Sequence, residues 1–214
     1  EVGQPFHIYD MERDYADFLR SCSCAEFDVV ADRDNYDYVY LSEKLISLSG
    51  RKLHSKKNHL NAFHKEHPDA VYQPITDEIV TQCKLELNSW YKQHKQEDGT
   101  VDPFINYERT AILEVLNNFT DFRLQGGAIL LNGRVIAFTF GEQLNKDTAV
   151  IHVEKADPEV RGAYPAINQG FVEHAWGHLT YINREEDMGI EGLRKAKESY
   201  KPEKLIEKFN ATLK

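Results

Sequence analysis

Residues 127–155 read GAILLNGRVIAFTFGEQLNKDTAVIHVEK, and this stretch decides the fold. Gly127 to Leu131 is an apolar extended run. Asn132-Gly133 follows it, the dipeptide that best suits a two-residue hairpin turn because both central residues of a type I′ turn need positive φ. Arg134 to Gly141 is the return strand and Thr148 to Lys155 a third, so the stretch is an antiparallel meander. Downstream, Ala156 to Ala163 reads as a loop and Tyr164 to Gly177 as a helix, with Pro165 suited to its first turn. Thr180 to Ile182 is a strand and Ile190 to Ser199 a helix, and the tail from Pro202 adds a last helix or strand.

Upstream of the meander, Ile105 to Asn118 is amphipathic. A longer helix runs from Asp77 to about Lys95, capped by Thr76, with Ile79, Cys83, Leu87 and Trp90 facing inward; Asp98-Gly99 breaks it. Val71 to Pro74 is a brief strand. The segment from Arg51 to His67, RKLHSKKNHLNAFHKEH, is helical with one narrow apolar face, Leu53, Leu60 and Phe63. Further back, Ser42 is placed to cap a short helix that stops at Gly50. Phe27 to Ala31 and Asp37 to Leu41 are short extended segments, and Asp10 to Ser21 is helical. Helices and strands alternate in this way in sheet-plus-helix α/β or α+β architectures.

The bulk properties narrow the function classes. The chain has 214 residues and a net charge of −9, which argues against a surface built for duplex DNA. No apolar run approaches the roughly 20 residues of a membrane span. There is no signal-peptide pattern. The first residue is Glu1, and the chain reads as though its beginning were missing. Of the three cysteines, Cys22 and Cys24 are too close for an easy disulfide, and no second pair completes a zinc site. A reducing cytoplasm is the expected setting, and no metal is expected.

Four groups of residues can carry chemistry. On the meander, Glu142 shares a face with Phe138 and Phe140, and His152 and Glu154 share one on the next strand. If the faces coincide, the three cluster near a sheet edge and a histidine with nearby carboxylates can act as a general base; the plain alternative is a surface His–Glu pair. The loop Asp157 to Tyr164 enters a helix, and Arg161, Gly162, Ala163 and Tyr164 at its N-terminus suit a phosphate, although Asp157 and Glu159 weaken that reading. Lys56, Lys57 and Asn58, among Arg51, Lys52 and several histidines, suit a polyanion, or form only a solvated helix face. Asn183, Arg184, Glu185, Glu186 and Asp187 follow a buried strand with unusual polar density, as one wall of a site or as a charged helix start. There is no HExxH, GxSxG or P-loop.

Three of these segments also carry a resemblance. LSGRKLHSKKNHLNAFHKEHP, VIAFTFGEQLNKDTAVIHVEKADPEVRGAYPAINQGF and YINREEDMGIEGLRKAKESYKPEKLIEKF resemble the bacterial domain related to the C-terminal region of phosphatidylglycerol lysyltransferase. The resemblance implies a GNAT-like (acyl-CoA N-acyltransferase-like) mixed sheet flanked by helices, as a tandem pair. Residues 1–50 would end a first, incomplete half, residues 51–100 would connect, and residues 101–214 would form the second half. Characterised relatives transfer an aminoacyl group from aminoacyl-tRNA to a lipid hydroxyl, and ordinary GNAT enzymes use acyl-CoA. The implied activity is transfer of an activated acyl or aminoacyl group, from aminoacyl-tRNA or acyl-CoA, to a small amine or hydroxyl acceptor. In that scheme Glu142, His152 or Glu154 takes the proton and Arg184 stabilises the oxyanion. Arg161 to Tyr164 hold donor phosphate. Lys56, Lys57, Asn58, Asn168, Asn183 and Glu186 contact substrate. One departure bears on the donor: the GNAT pyrophosphate loop reads Arg/Gln-x-x-Gly-x-Gly/Ala, whereas Val160-Arg161-Gly162-Ala163-Tyr164 has one glycine. A non-catalytic GNAT-like module that binds RNA, nucleotide or a protein is the rival expectation.

Overall fold

The structure, a computed structural model, describes residues 6–23, 25–93 and 103–214. In chain order the elements are β1 (His7–Met11), α1 (Arg13–Ser21), β2 (Phe27–Ala31), β3 (Asp37–Leu41), α2 (Ser42–Ser47), α3 (His54–Glu66), β4 (Val71–Pro74), α4 (Asp77–Gln93) and α5 (Pro103–Asn117). There follow β5 (Gln125–Leu131), β6 (Arg134–Gln143), β7 (Thr148–Ala156), α6 (Ala163–Phe171), β8 (Tyr181–Asn183), α7 (Glu191–Ser199), β9 (Lys204–Ile206) and β10 (Phe209–Leu213). They form two compact units, residues 41–182 and residues 1–40 with 183–214.

The larger unit is built on the meander. Strands β4, β5, β6 and β7 pair antiparallel in that order, with β8 next after β7. Asn132 (φ 52°) and Gly133 (φ 76°) make the expected hairpin turn. Strand β6 is buried along most of its length because helices cover both faces of the sheet. Ile79, Cys83 and Leu87 of α4 and Ile112 and Leu116 of α5 pack on Val135, Phe138 and Phe140. Helices α6 and α3 lie on the other face. The segment expected to be a separate connector, residues 51–100, supplies the edge strand β4 and the core helix α4 of this same unit. The expected helix stop at Asp98-Gly99 lies outside the described residues. Ser42 does not cap α2 with its side chain; its hydroxyl donates instead to the Leu179 carbonyl, so the residue ties α2 to the segment before β8.

The smaller unit joins both ends of the described chain. Strand β10 lies between β1 and β2, antiparallel to each, and α1 covers one face through Ala16, with Met11, Phe209 and Ala211 in the core. Strand β3 pairs with β9. Cys83, in the larger unit, is a buried free thiol. Cys22 is disulfide-bonded, against expectation.

Candidate active site

The pairing of β6 with β7 slips by one residue. Phe140 faces Val153 but Gly141 faces Ile151, so His152 is the additional residue of a β-bulge. A bulge breaks the period-two alternation. His152 and its neighbour Val153 therefore both line one cavity of about 430 Å³, together with Phe140 and Glu142 of β6. Ala111, Ile112 and Val115 of α5, with Phe122 and Leu124, complete an apolar wall. Glu142 Oε1 lies 3.3 Å from His152 Nε2. The expected Glu142–His152 meeting is present, with the two side chains 52% and 32% exposed at the cavity. Glu154 does not join them. It pairs with Thr139 across the strands and turns toward α6, where Asn168 Nδ2 donates to its Oε2 at 3.2 Å. Simple alternation put Glu154 beside His152; the bulge is what separates them.

On the α6 side, Asn168 is fully buried, and among the described residues its Oδ1 accepts no hydrogen bond. Burial raises the Tyr164 phenol, against hydrogen bonds with the Trp90 side chain and the Ala156 backbone. Gly162 caps α6 at φ 86°. A Cβ there would lie 2.8 Å from both the His59 carbonyl oxygen and Phe63 Cβ, so the glycine lets α3 close on the start of α6. The basic helix and the Arg161–Tyr164 turn, read separately in the sequence, are thereby neighbours. Lys57, Asn58 and Arg161 are exposed, and Lys56 is half-buried. The helix end is poorer in donors than a phosphate cradle needs. Ala163 N–H is spent on the Val160 carbonyl at 3.1 Å, and Pro165 has no N–H.

Two charged clusters flank this region. Lys155 Nζ donates to both carboxylate oxygens of Glu108 at 2.9 Å and lies 3.9 Å from the centre of the Trp90 ring. Tyr91 donates to the same carboxylate at 2.8 Å. Burial lowers the Lys155 pKa, and Glu108 opposes that shift. Asp157 shapes the loop into α6, accepting Arg134 at 2.9 Å and the Glu159 N–H at 3.0 Å. Glu86 of α4 is buried nearby, and burial, then the Asp157 charge, push its carboxyl up to about 7. Sequence reading missed Lys155 and Glu86. The available signals were a lysine ending the alternation of β7 and a glutamate on the Cys83–Leu87 face of α4.

Asn183, Arg184 and Glu186 belong to the smaller unit, whose hub is Asp187. Fully buried, Asp187 accepts Arg33 at 3.2 Å, Tyr38 at 2.6 Å, Arg194 at 2.9 and 2.7 Å, and the Gly189 N–H at 2.9 Å. Burial alone would raise its pKa, but these hydrogen bonds outweigh burial and hold it well below the carboxylate range. The Asn183 amide is committed to Asp37 at 3.0 Å and to the Glu185 N–H at 2.8 Å. The Arg184 guanidinium lies over Tyr40 and Tyr200, at 5.6 and 4.8 Å. Lys197 donates to the Arg184 and Glu186 carbonyls. Much of the polar density in this segment thus fixes a turn in which Glu185 and Met188 hold positive φ.

Among the described residues no helix is long and apolar enough to cross a membrane, and no group of three His, Cys, Asp or Glu side chains is arranged to hold a metal. Comparison with solved structures places the fold. A conserved protein of unknown function from Bacteroides thetaiotaomicron is 38% identical, with 99% of this chain and 70% of that one covered at a TM-score of 0.88. The C-terminal domain of a putative lysylphosphatidylglycerol synthetase from Agrobacterium fabrum matches 99% of this chain and 68% of its own, at 13% identity and a TM-score of 0.69. L-PGS from Bacillus licheniformis matches 98% and 68%, at 16% identity and a TM-score of 0.65. The fold is the mixed α/β fold of these C-terminal domains, a sheet flanked by helices. An uncharacterised protein of Mycoplasmoides gallisepticum is 26% identical over 216 residues, 97% of this chain and 67% of the relative. From residue 1 to residue 212 the chain matches the family described as phosphatidylglycerol lysyltransferase, C-terminal, and it belongs to that family.

Proposed function

We propose that the chain transfers an activated acyl or aminoacyl group, from an ester or thioester donor such as aminoacyl-tRNA or acyl-CoA, to an amine or hydroxyl acceptor. Family and fold support a transferase of the lysylphosphatidylglycerol synthase type. The observation that carries the local assignment is the Glu142–His152 pair at an apolar cavity, 3.3 Å apart and positioned by a bulge. An apolar pocket with a few convergent polar groups is the usual form of a small-molecule site.

In the proposed reaction the acceptor nitrogen or oxygen attacks the donor carbonyl carbon. His152 takes the acceptor's proton, and Glu142 orients the ring and stabilises the imidazolium. When the tetrahedral intermediate collapses, the bond to the donor's leaving oxygen or sulfur breaks and the proton passes to that atom. The donor's polyanionic part lies along Lys56 and Lys57 toward Arg161 and the Tyr164 N–H. The sparse donors of the α6 N-terminus favour a donor held chiefly by side-chain charge over one whose pyrophosphate needs a row of backbone N–H groups. Asn168 and Glu154, on the α6 side of β7 and across the sheet from His152, are assigned no step. Arg184 and Glu186 are assigned no step.

The test is transfer of a radiolabelled group from aminoacyl-tRNA or acyl-CoA to small amine and hydroxyl acceptors, with wild type and His152→Ala compared. Loss of the base should cost about 10²–10⁴-fold in rate while the melting temperature holds. Full activity in His152→Ala overturns the assignment. Absence of transfer with every donor, together with salt-dependent RNA binding lost on replacing Lys56 and Lys57, establishes a binding module instead.

A further inference from the structure

The larger unit holds a second cleft that shares no residue with the Glu142–His152 cavity. Its volume is about 270 Å³, and its walls come from α3, the β4 and β5 strands, and α6 with the turn after it. It opens on the other face of the sheet. Ile129 lines it, whereas the adjacent Ala128 packs into the core under α4 and α5. After α6 the helix continues as one turn of π-helix, Val172–Trp176, a distortion frequent at functional sites. Glu173 and His174 of that turn line the cleft.

The rings and polar atoms there are set in a definite order. Tyr72 stacks on His174 at 4.3 Å and 19°. Gly170 makes this possible, since a Cβ would stand 3.0 Å from the Tyr72 ring. Burial pushes the Tyr72 phenol up to about 12, so it stays neutral. His174 Nδ1 lies 2.8 Å from the Gly170 carbonyl oxygen. A carbonyl can only accept, so Nδ1 carries the hydrogen and Nε2 of the neutral ring holds the lone pair. Gln169 Nε2 donates one of its two hydrogens to Glu173 Oε2 at 2.7 Å, and the Gln169 carbonyl oxygen is an acceptor.

The cleft therefore presents a carboxylate, an amide oxygen and two imidazoles, His174 and His64, above an apolar wall that includes Leu60 and Phe63. Neither lysine nor arginine is among its described lining residues. Such a set offers acceptors to a ligand rich in N–H donors. The geometry points to a second ligand site in this unit, specific for a small primary amine in its ammonium form: the charge meets Glu173, the N–H groups meet Gln169 and His174, and a short apolar stem lies on Leu60 and Phe63.

The test is a titration of the full chain with n-butylammonium chloride, followed by amide chemical shifts, with n-butanol as the uncharged control. The expected result is saturable binding in the millimolar range with shifts confined to residues 60–72 and 166–175. Butanol should bind roughly tenfold or more weakly, and Glu173→Gln should lose a comparable factor, as expected for one charge-assisted hydrogen bond. Glu173 is exposed, so the variant should melt as wild type does. The inference is overturned by shifts that never saturate, by an equal response to butanol, by unchanged affinity in Glu173→Gln, or by shifts centred on Glu142 and His152.

Discussion

Replacing Glu86 with Gln tests whether a buried carboxyl of α4 resists ionisation. Glu86 is 5% exposed. Burial, and then the negative charge of Asp157, raise its pKa from 4.5 to about 7, with Arg134 opposing. The sign follows from linkage. A group bound to its proton more tightly in the folded state lends stability that is complete below the unfolded pKa and is lost as pH rises through the folded one. Wild type should therefore lose stability between about pH 4.5 and pH 7. One pH unit of separation corresponds to about 1.4 kcal/mol, so the loss is at most about 3 kcal/mol. Glutamine is nearly isosteric with the protonated acid and cannot ionise, so Glu86→Gln should match wild type near pH 5 and exceed it near pH 8. For a chain of this size about 3 kcal/mol corresponds to a rise in melting temperature of up to roughly 10 °C. The assay is thermal melting of both proteins across that pH range at constant ionic strength. A difference that does not change with pH, or a variant less stable than wild type at pH 8, refutes the reasoning.

Asp187→Asn should destabilise the smaller unit by about 3 kcal/mol, because Arg33 and Arg194 lose the buried charge they share; urea midpoints check this. Asp187 ionises far more readily when folded, so its contribution is present at neutral pH and fades on acidification, and the gap between wild type and variant should narrow below about pH 4. Gly162→Ala should cost about 1–3 kcal/mol, since alanine at φ 86° is strained and its Cβ meets the His59 carbonyl oxygen at 2.8 Å. A variant with an unchanged denaturation midpoint would show that α3 can retreat freely from the start of α6.

The meander was legible because its signals are local. Alternation and an Asn-Gly turn depend on neighbours in sequence, and β4, β5, β6 and β7 fall within a residue or two of where composition places them. What escaped depends on distant partners. Strand β1 precedes α1 in a stretch with no strong pattern, and it is a strand because β10 pairs with it from the far end of the chain. The bulge at His152 leaves no mark in a run of alternating residues, so the meeting of Glu142 with His152 could be anticipated while the departure of Glu154 to the α6 side could not. The polar segment after β8 stood out correctly as unusual. Its meaning was harder to read, because a carboxylate that binds substrate and one that organises two arginines have the same letters. The closeness of α3 to α6 is likewise a matter of one glycine meeting a carbonyl about a hundred residues away in sequence.

The smaller unit has a consequence for how the protein is made. Its three-stranded sheet places β10, residues 209–213, between two strands from the first 31 residues, with His7 opposite Thr212. During synthesis β1 and β2 leave the ribosome well before their middle partner β10, while the whole 41–182 unit can fold in the interval. Two unpaired strand edges are exposed through that wait, which is when nascent chains are most prone to associate with one another. A ribosome that stalls between the larger unit and β10 would release a finished larger unit joined to a sheet that has no centre.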